Sequence, residues 1–223
     1  MTFLFFNSNI NCFGQNPAKN TQELDSLKYY HALANSPQKS TDLQKAYVFY
    51  LKLKEQNLRK KDTIKIIHNL WQISIIQNSL GFLYDSENSA IEAIKLLDQL
   101  KDNKTTLEAR FGLYNKLGNV YSTLNDNETA IVYYNKGLEI AQLPYQVNLI
   151  QTNKAMLYID QNKYQLAEKE LLEVYKSRLK LNDSRKTTST LDELGFVQSK
   201  LNKPQGFKNL LKALEIRLGT DNV

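Results

Sequence analysis

Nucleophilic, acid–base and metal chemistry each require particular side chains at particular spacings, and this chain supplies few of them. Its two histidines are His31 and His68, and its single cysteine is Cys12. The sequence contains no His-Glu-x-x-His helix, no Cys-x-x-Cys pair, no Gly-x-Ser-x-Gly elbow and no glycine-rich phosphate loop. One cysteine cannot close a disulfide within the chain or build a cysteine zinc site. Acidic residues are dispersed among lysines at helical spacing, as on solvated helix faces, and His31 reads as a helix-surface or packing residue. The expectation is a chain that is not an enzyme, with no catalytic, cofactor-binding or metal-binding residues. Two asparagines offer a different chemistry. Asn115 and Asn119 stand four apart on one helix face. Each carboxamide carries a donor and an acceptor, which suits the main chain of an extended peptide.

Such residues need elements to position them, and the composition favours helices. The 223 residues are 42% apolar, enough for a packed core, yet hold only 8 glycines and 4 prolines. An all-β fold would need more turn residues. The net charge of +6 comes from 29 basic residues scattered among 23 acidic ones, with lysine far outnumbering arginine. A nucleic-acid surface concentrates basic residues in a stripe, so no nucleic-acid partner is expected. The basic stretch from Lys52 to Lys61 reads as a solvated helix end. No apolar run is long enough to span a membrane.

The strongest pattern is internal repetition. Residues 117–140, LGNVYSTLNDNETAIVYYNKGLEI, place Gly118, Tyr121, Ala130, Tyr134 and Gly137 at helical spacing. Downstream, Ala155, Tyr158, Ala167, Leu171 and Val174 follow the same offsets. Leu194-Gly195 restarts the pattern with Gln198 in place of the tyrosine, and a turn one residue short then aligns Gly206, Leu210 and Ala213. Upstream, Leu80-Gly81 with Tyr84, Ala93, Leu97 and Leu100 gives a first unit in the same phase. Each unit reads as two amphipathic helices whose crossing is close where both are small, with Gly118 facing Ala130 and Gly137 and Ala213 leaving room for a following helix. The segment Asn125 to Glu128 supplies a helix start. Trp71 shares an apolar face with Ile67 and Ile75 and reads as core or inter-repeat packing.

This schedule resembles the tetratricopeptide repeat. The matching residues in the best unit are Tyr114, Leu117, Gly118, Tyr121, Ala130, Tyr134 and Gly137, with Pro144 close by. The resemblance covers about four units over residues 74–217, and endings such as GLEIA look most like bacterial sensor and regulatory members. It implies an all-α, right-handed α-solenoid of antiparallel helix pairs. Residues 21–73 form a degenerate amino-terminal pair and link, with Leu24, Leu27, Tyr30 and Ala34 on one face and a Thr41-x-x-Gln44 capping box opening the second helix. Residues 218–223 are a tail.

In the resembling family the first helices line an inner wall that binds extended peptides or a partner's helix. On that wall one row reads Asn78, Asn115, Thr152 and Asp192, and the row one turn on reads Phe82, Asn119, Met156 and Phe196. The expected site is an uncharged, partly apolar groove, and the expected partner is an unidentified protein or peptide segment. The leading reading is a non-catalytic protein-binding scaffold. A second reading is the input region of a bacterial signal-transduction kinase or transcription regulator, with fusion to or association with a signalling protein. The ends leave alternatives open. Residues 1–20 read as a signal peptide processed near Gly14-Gln15-Asn16 or as a disordered terminus, hence export or a cytoplasmic location. At the other end, either the last helix is itself the cap or the chain is a fragment.

Overall fold

Helical periodicity and the scarcity of breakers resolve into ten helices and no strand among the described residues, 17–219. The structure is a computed structural model. The helices are α1 (Pro17–Asn35), α2 (Ser40–Arg59), α3 (Thr63–Ser79), α4 (Leu83–Leu97), α5 (Lys104–Thr123), α6 (Asn127–Ile140), α7 (Pro144–Asp160), α8 (Tyr164–Lys180), α9 (Ser184–Lys200) and α10 (Pro204–Leu218). The signal-peptide reading concerns residues outside the described ones, as does the end of the tail.

Neighbours in sequence are neighbours in space. The pairs α1/α2, α3/α4, α5/α6, α7/α8 and α9/α10 pack as hairpins, and each hairpin packs on the next. The first helices also meet side by side, α3 on α5 and α5 on α7, which makes them one wall of the array. The result is an all-α, right-handed solenoid of antiparallel helix pairs.

The hairpin turns fix the register. Gly81, Asn125, Asn162 and Asn202 each adopt the left-handed conformation, with φ of 85°, 61°, 57° and 55°. Glycine and asparagine tolerate this region best. In three units the residue seven positions earlier is Gly118, Ala155 or Gly195, as the repeat pattern requires. In the first unit that count lands on Ser74, so the expected phase there is corrected. Gly81 is a turn residue and not a helix-crossing residue. Tyr84, expected in the core, is 72% exposed. Ser74 and Ser86 take the places of Gly118 and Ala130, and both are fully buried. The Ser86 hydroxyl donates to the Ser74 carbonyl at 2.6 Å, which satisfies a polar pair at the tight crossing.

Helix starts also differ in detail from the sequence reading. Asp126 is the N-cap of α6 and accepts from Thr129 N at 3.1 Å. Asp126→Ala is expected to cost about 1 kcal/mol, read as a lower urea midpoint at unchanged slope. In α2 the N-cap is Lys39, two residues before the expected Thr41. The Asp42 carboxylate, not Gln44, reaches back to accept from Lys39 N and Gln38 N at 3.2 and 3.0 Å.

Small residues make room for large ones across helices. A Cβ on Gly118 would lie 2.4 Å from the Tyr134 ring, so Gly118 faces Tyr134 rather than Ala130. A Cβ on Gly137 would lie 2.4 Å from Ile150 of the following helix, as expected for a slot that receives the next unit. Trp71 covers Gly112, where a Cβ would come within 2.2 Å of the indole, so the tryptophan packs between units. In the last unit Leu210 takes the place of Tyr134 over Gly195, which fits the turn being one residue short. Gln198, which replaces a core tyrosine, belongs to a buried polar chain. Asn209 Nδ2 donates to Gln198 Oε1 at 2.8 Å, and Gln198 Nε2 donates to Glu168 Oε1 at 3.1 Å.

Candidate functional site: the wall of first helices

Helices α5, α7 and α9 carry the central part of the wall, and its side chains divide into those spent on the fold and those left to solvent. Asn115 is half-buried, and its Oδ1 accepts from Asn153 Nδ2 at 2.8 Å, linking α5 to α7. Asn119 Oδ1 accepts from the Tyr134 hydroxyl at 2.7 Å. Both acceptors are therefore used internally. Neither Nδ2 group has an acceptor among the described residues, so the pair presents donors rather than the donor-and-acceptor ladder expected. Met156 and Phe196 are exposed on α7 and α9, and Tyr145 and Leu149 extend the apolar surface along α7. Tyr164 meets Phe196 edge-on with ring centres 6.4 Å apart.

Other expected site residues stand differently. Thr152 Oγ1 donates to Asn148 O at 2.7 Å and accepts from Arg178 Nη2 at 3.0 Å, so it holds the wall together. Asp192 pairs with Arg217 of α10. Asn78 and Phe82 leave the row because of the register correction. Asn78 lies in the last turn of α3, its Oδ1 buried without a partner. Phe82 is the N-cap of α4. The positions matching Asn115 and Asn119 in the first unit are Trp71 and Ile75. Counting back from the left-handed Gly81 locates them, and the sequence carried that signal in the recurring Asn or Gly of the turn.

Sequence reasoning missed three polar residues of this wall. Arg178 reaches from α8 between α7 and α9, where Nη1 also donates to Thr190 Oγ1 at 2.5 Å. Burial lowers its pKa, opposed by the nearby Glu193 and Asp183. Burial raises the Glu193 pKa against the pull of Arg178, and Glu193 Oε2 has no hydrogen-bond partner. Lys116, next to Asn115, makes no hydrogen bond or ion pair among the described residues, and burial pushes its pKa down to about 8. No set of three or more His, Cys, Asp or Glu side chains among the described residues is placed to hold a metal. No helix among them is long and apolar enough to cross a membrane.

Comparison with known proteins agrees with this geometry. The family model described as tetratricopeptide repeat matches residues 111–142, the hairpin that carries Asn115 and Asn119. No curated protein matches the chain in sequence. Among solved structures, a putative kinesin light chain of Podosopora anserina with nearly identical TPR-like repeats is similar at a TM-score of 0.67 and 13% identity, covering 89% of this chain and 98% of that one. A variant of the same protein gives 0.67 and 14%, covering 89% and 97%. BtubC (BKLC) of P. vanneervenii is similar at 0.53 and 15%, covering 81% of this chain and 93% of that one. These likenesses concern the fold. The chain thus shares the helical-repeat solenoid fold of these proteins, and its residues 111–142 match the tetratricopeptide repeat model.

Proposed function

We propose that the chain is a non-catalytic scaffold that binds an extended peptide or protein segment along the wall formed by α5, α7 and α9. The observation that carries this reading is the pairing of outward amide donors on Asn115 and Asn119 with exposed apolar side chains at Leu149, Met156 and Phe196. Donors four residues apart match carbonyls of an extended main chain, while the apolar positions receive its side chains. A repeat solenoid of this type is characteristically an interaction scaffold, which fits the absence of catalytic motifs from the sequence.

The test uses peptides selected on the full chain from a random display library. Replacing Asn115 and Asn119 together by Asp keeps each Oδ1 for Asn153 and Tyr134 but removes the outward donors. Selected peptides should then bind about tenfold more weakly or worse, with an unchanged melting transition. Met156→Lys should weaken the same peptides. Selection of tight binders indifferent to both changes would place the binding surface elsewhere.

A further inference from the structure

Four first helices carry a further polar residue at one fixed place, two positions before the crossing residue. Gln72, Lys116, Asn153 and Glu193 hold that place ahead of Ser74, Gly118, Ala155 and Gly195. All four are half-buried. Asn153 shows where such a side chain points, since its Nδ2 reaches back to Asn115 Oδ1 of the preceding first helix at 2.8 Å. The other three keep unsatisfied atoms. Gln72 Oε1 and Glu193 Oε2 are buried without a hydrogen-bond partner. Lys116 makes no hydrogen bond or ion pair among the described residues.

The register explains why Lys116 stands alone. Asn153 finds an acceptor because Asn115 lies opposite it. The residue of α3 that matches Asn115 is Trp71, whose indole has a donor and no acceptor and lies over Gly112, one turn before Lys116. No carboxylate among the described residues offsets the burial of this ammonium. A half-buried cation without a counter-ion costs stability. Other cations near the wall are committed within the chain. Arg178 donates to Thr152, Thr190 and the Lys186 carbonyl, Lys154 pairs with Glu170, and Arg110 pairs with Asp98.

We propose that Lys116 receives a side-chain carboxylate of the bound segment, so that the wall selects peptides with an aspartate or glutamate at its α5 end. The inference rests on the peptide-binding reading and names the ligand chemistry of the same site. A ligand carboxylate supplies the missing counter-ion in partly desolvated surroundings, where the attraction exceeds that on an open surface. It sits beside the amide donors of Asn115 and Asn119, which take carbonyls of the same stretch. The α9 end disfavours an acid, because the matching place there holds Glu193, with Asp192 next to it. Arg178 acts on Glu193 from a distance, but its Nη groups are already spent. Packed helices lie about 8–10 Å apart, and an extended chain advances about 3.3 Å per residue. The acidic residue therefore stands about three or four positions from the large apolar one that meets Met156.

Peptides selected on the full chain from a random display library should carry Asp or Glu about three or four positions from Leu, Met or Phe. Lys116→Met should weaken them at least about fivefold without lowering the melting transition. Replacing the peptide's acid by its amide should cost as much. On the Lys116→Met chain that replacement should cost nothing further, because the two changes remove one pair. Amidation of the peptide's carboxyl terminus should leave binding unchanged. Binding lost on amidation would assign the carboxylate to the chain end and overturn the proposal. So would peptides that lack an acid or ignore Lys116→Met yet weaken with Met156→Lys, an outcome that leaves the groove itself standing. Peptides indifferent to Met156→Lys and to the exchange of Asn115 and Asn119 would remove the groove reading and this one with it.

Discussion

Gly118→Leu is expected to destabilise the chain by about 2–3 kcal/mol through over-packing. The reason is direct. Even a Cβ at residue 118 would come within 2.4 Å of the Tyr134 ring. Tyr134 is buried and cannot retreat into solvent, and its hydroxyl is anchored on Asn119 Oδ1 at 2.7 Å. Displacing the ring therefore strains the hairpin and breaks a hydrogen bond worth about 1 kcal/mol. Better helix propensity returns about 0.8–1 kcal/mol, which is too little to reverse the sign. Urea denaturation measures the loss. Combining Gly118→Leu with Tyr134→Ala should cost less than the two changes summed, because the leucine fills the space the ring leaves. A strictly additive result would refute the knob-and-slot account.

Lys116→Met is expected to act in the opposite direction and to stabilise the chain at neutral pH. Lys116 is charged there, half-buried and without a counter-ion, and burial pushes its pKa from 10.5 down to about 8. Between those values the unfolded chain binds the proton and the folded chain does not. Stability must therefore rise as the pH rises from about 8 toward the unfolded value. Solvent reaches a half-buried lysine, which reduces the gain to about 1–2 kcal/mol. Tyr50, Tyr121 and Tyr134 limit the window from above. Burial raises their pKa values, so beyond about pH 10 their ionisation in the unfolded chain lowers stability. Denaturation midpoints should climb between pH 8 and about 10 in the native sequence. In Lys116→Met they should start higher and stay flat over that interval.

Much of the architecture was legible because close helix crossings demand small residues. Gly118, Ala155 and Gly195 stood out for that reason, and each proves to lie at a crossing. The first unit was misphased because its crossing is built from Ser74 and Ser86, whose hydroxyls are satisfied within the backbone and leave no glycine or alanine to find. Gly81 offered a false match, since a glycine serves a turn as well as a crossing. The wall was legible as a surface but not as chemistry. Nothing in the spacing of Asn115 and Asn119 shows that their oxygens are committed to Asn153 and Tyr134. Long-range partners of this kind, Arg178 with Thr152 among them, depend on how neighbouring units are rotated.

The joints between hairpins also differ in their polar ties. Arg178 and Glu168 fasten α8 to α9 and α10. Arg110 and Tyr121 fasten α5 to α4. At the α6/α7 joint Ile150 rests in the slot of Gly137, and Lys154 spans to Asn135 Oδ1 at 3.3 Å. Under tension the array behaves as springs in series, each bearing the same load, and the first to stretch is the softest. The joint between the α5/α6 and α7/α8 hairpins is itself bridged by the hydrogen bond from Asn153 Nδ2 to Asn115 Oδ1, so a pull on the ends of the solenoid would load one of the very residues proposed to hold a peptide.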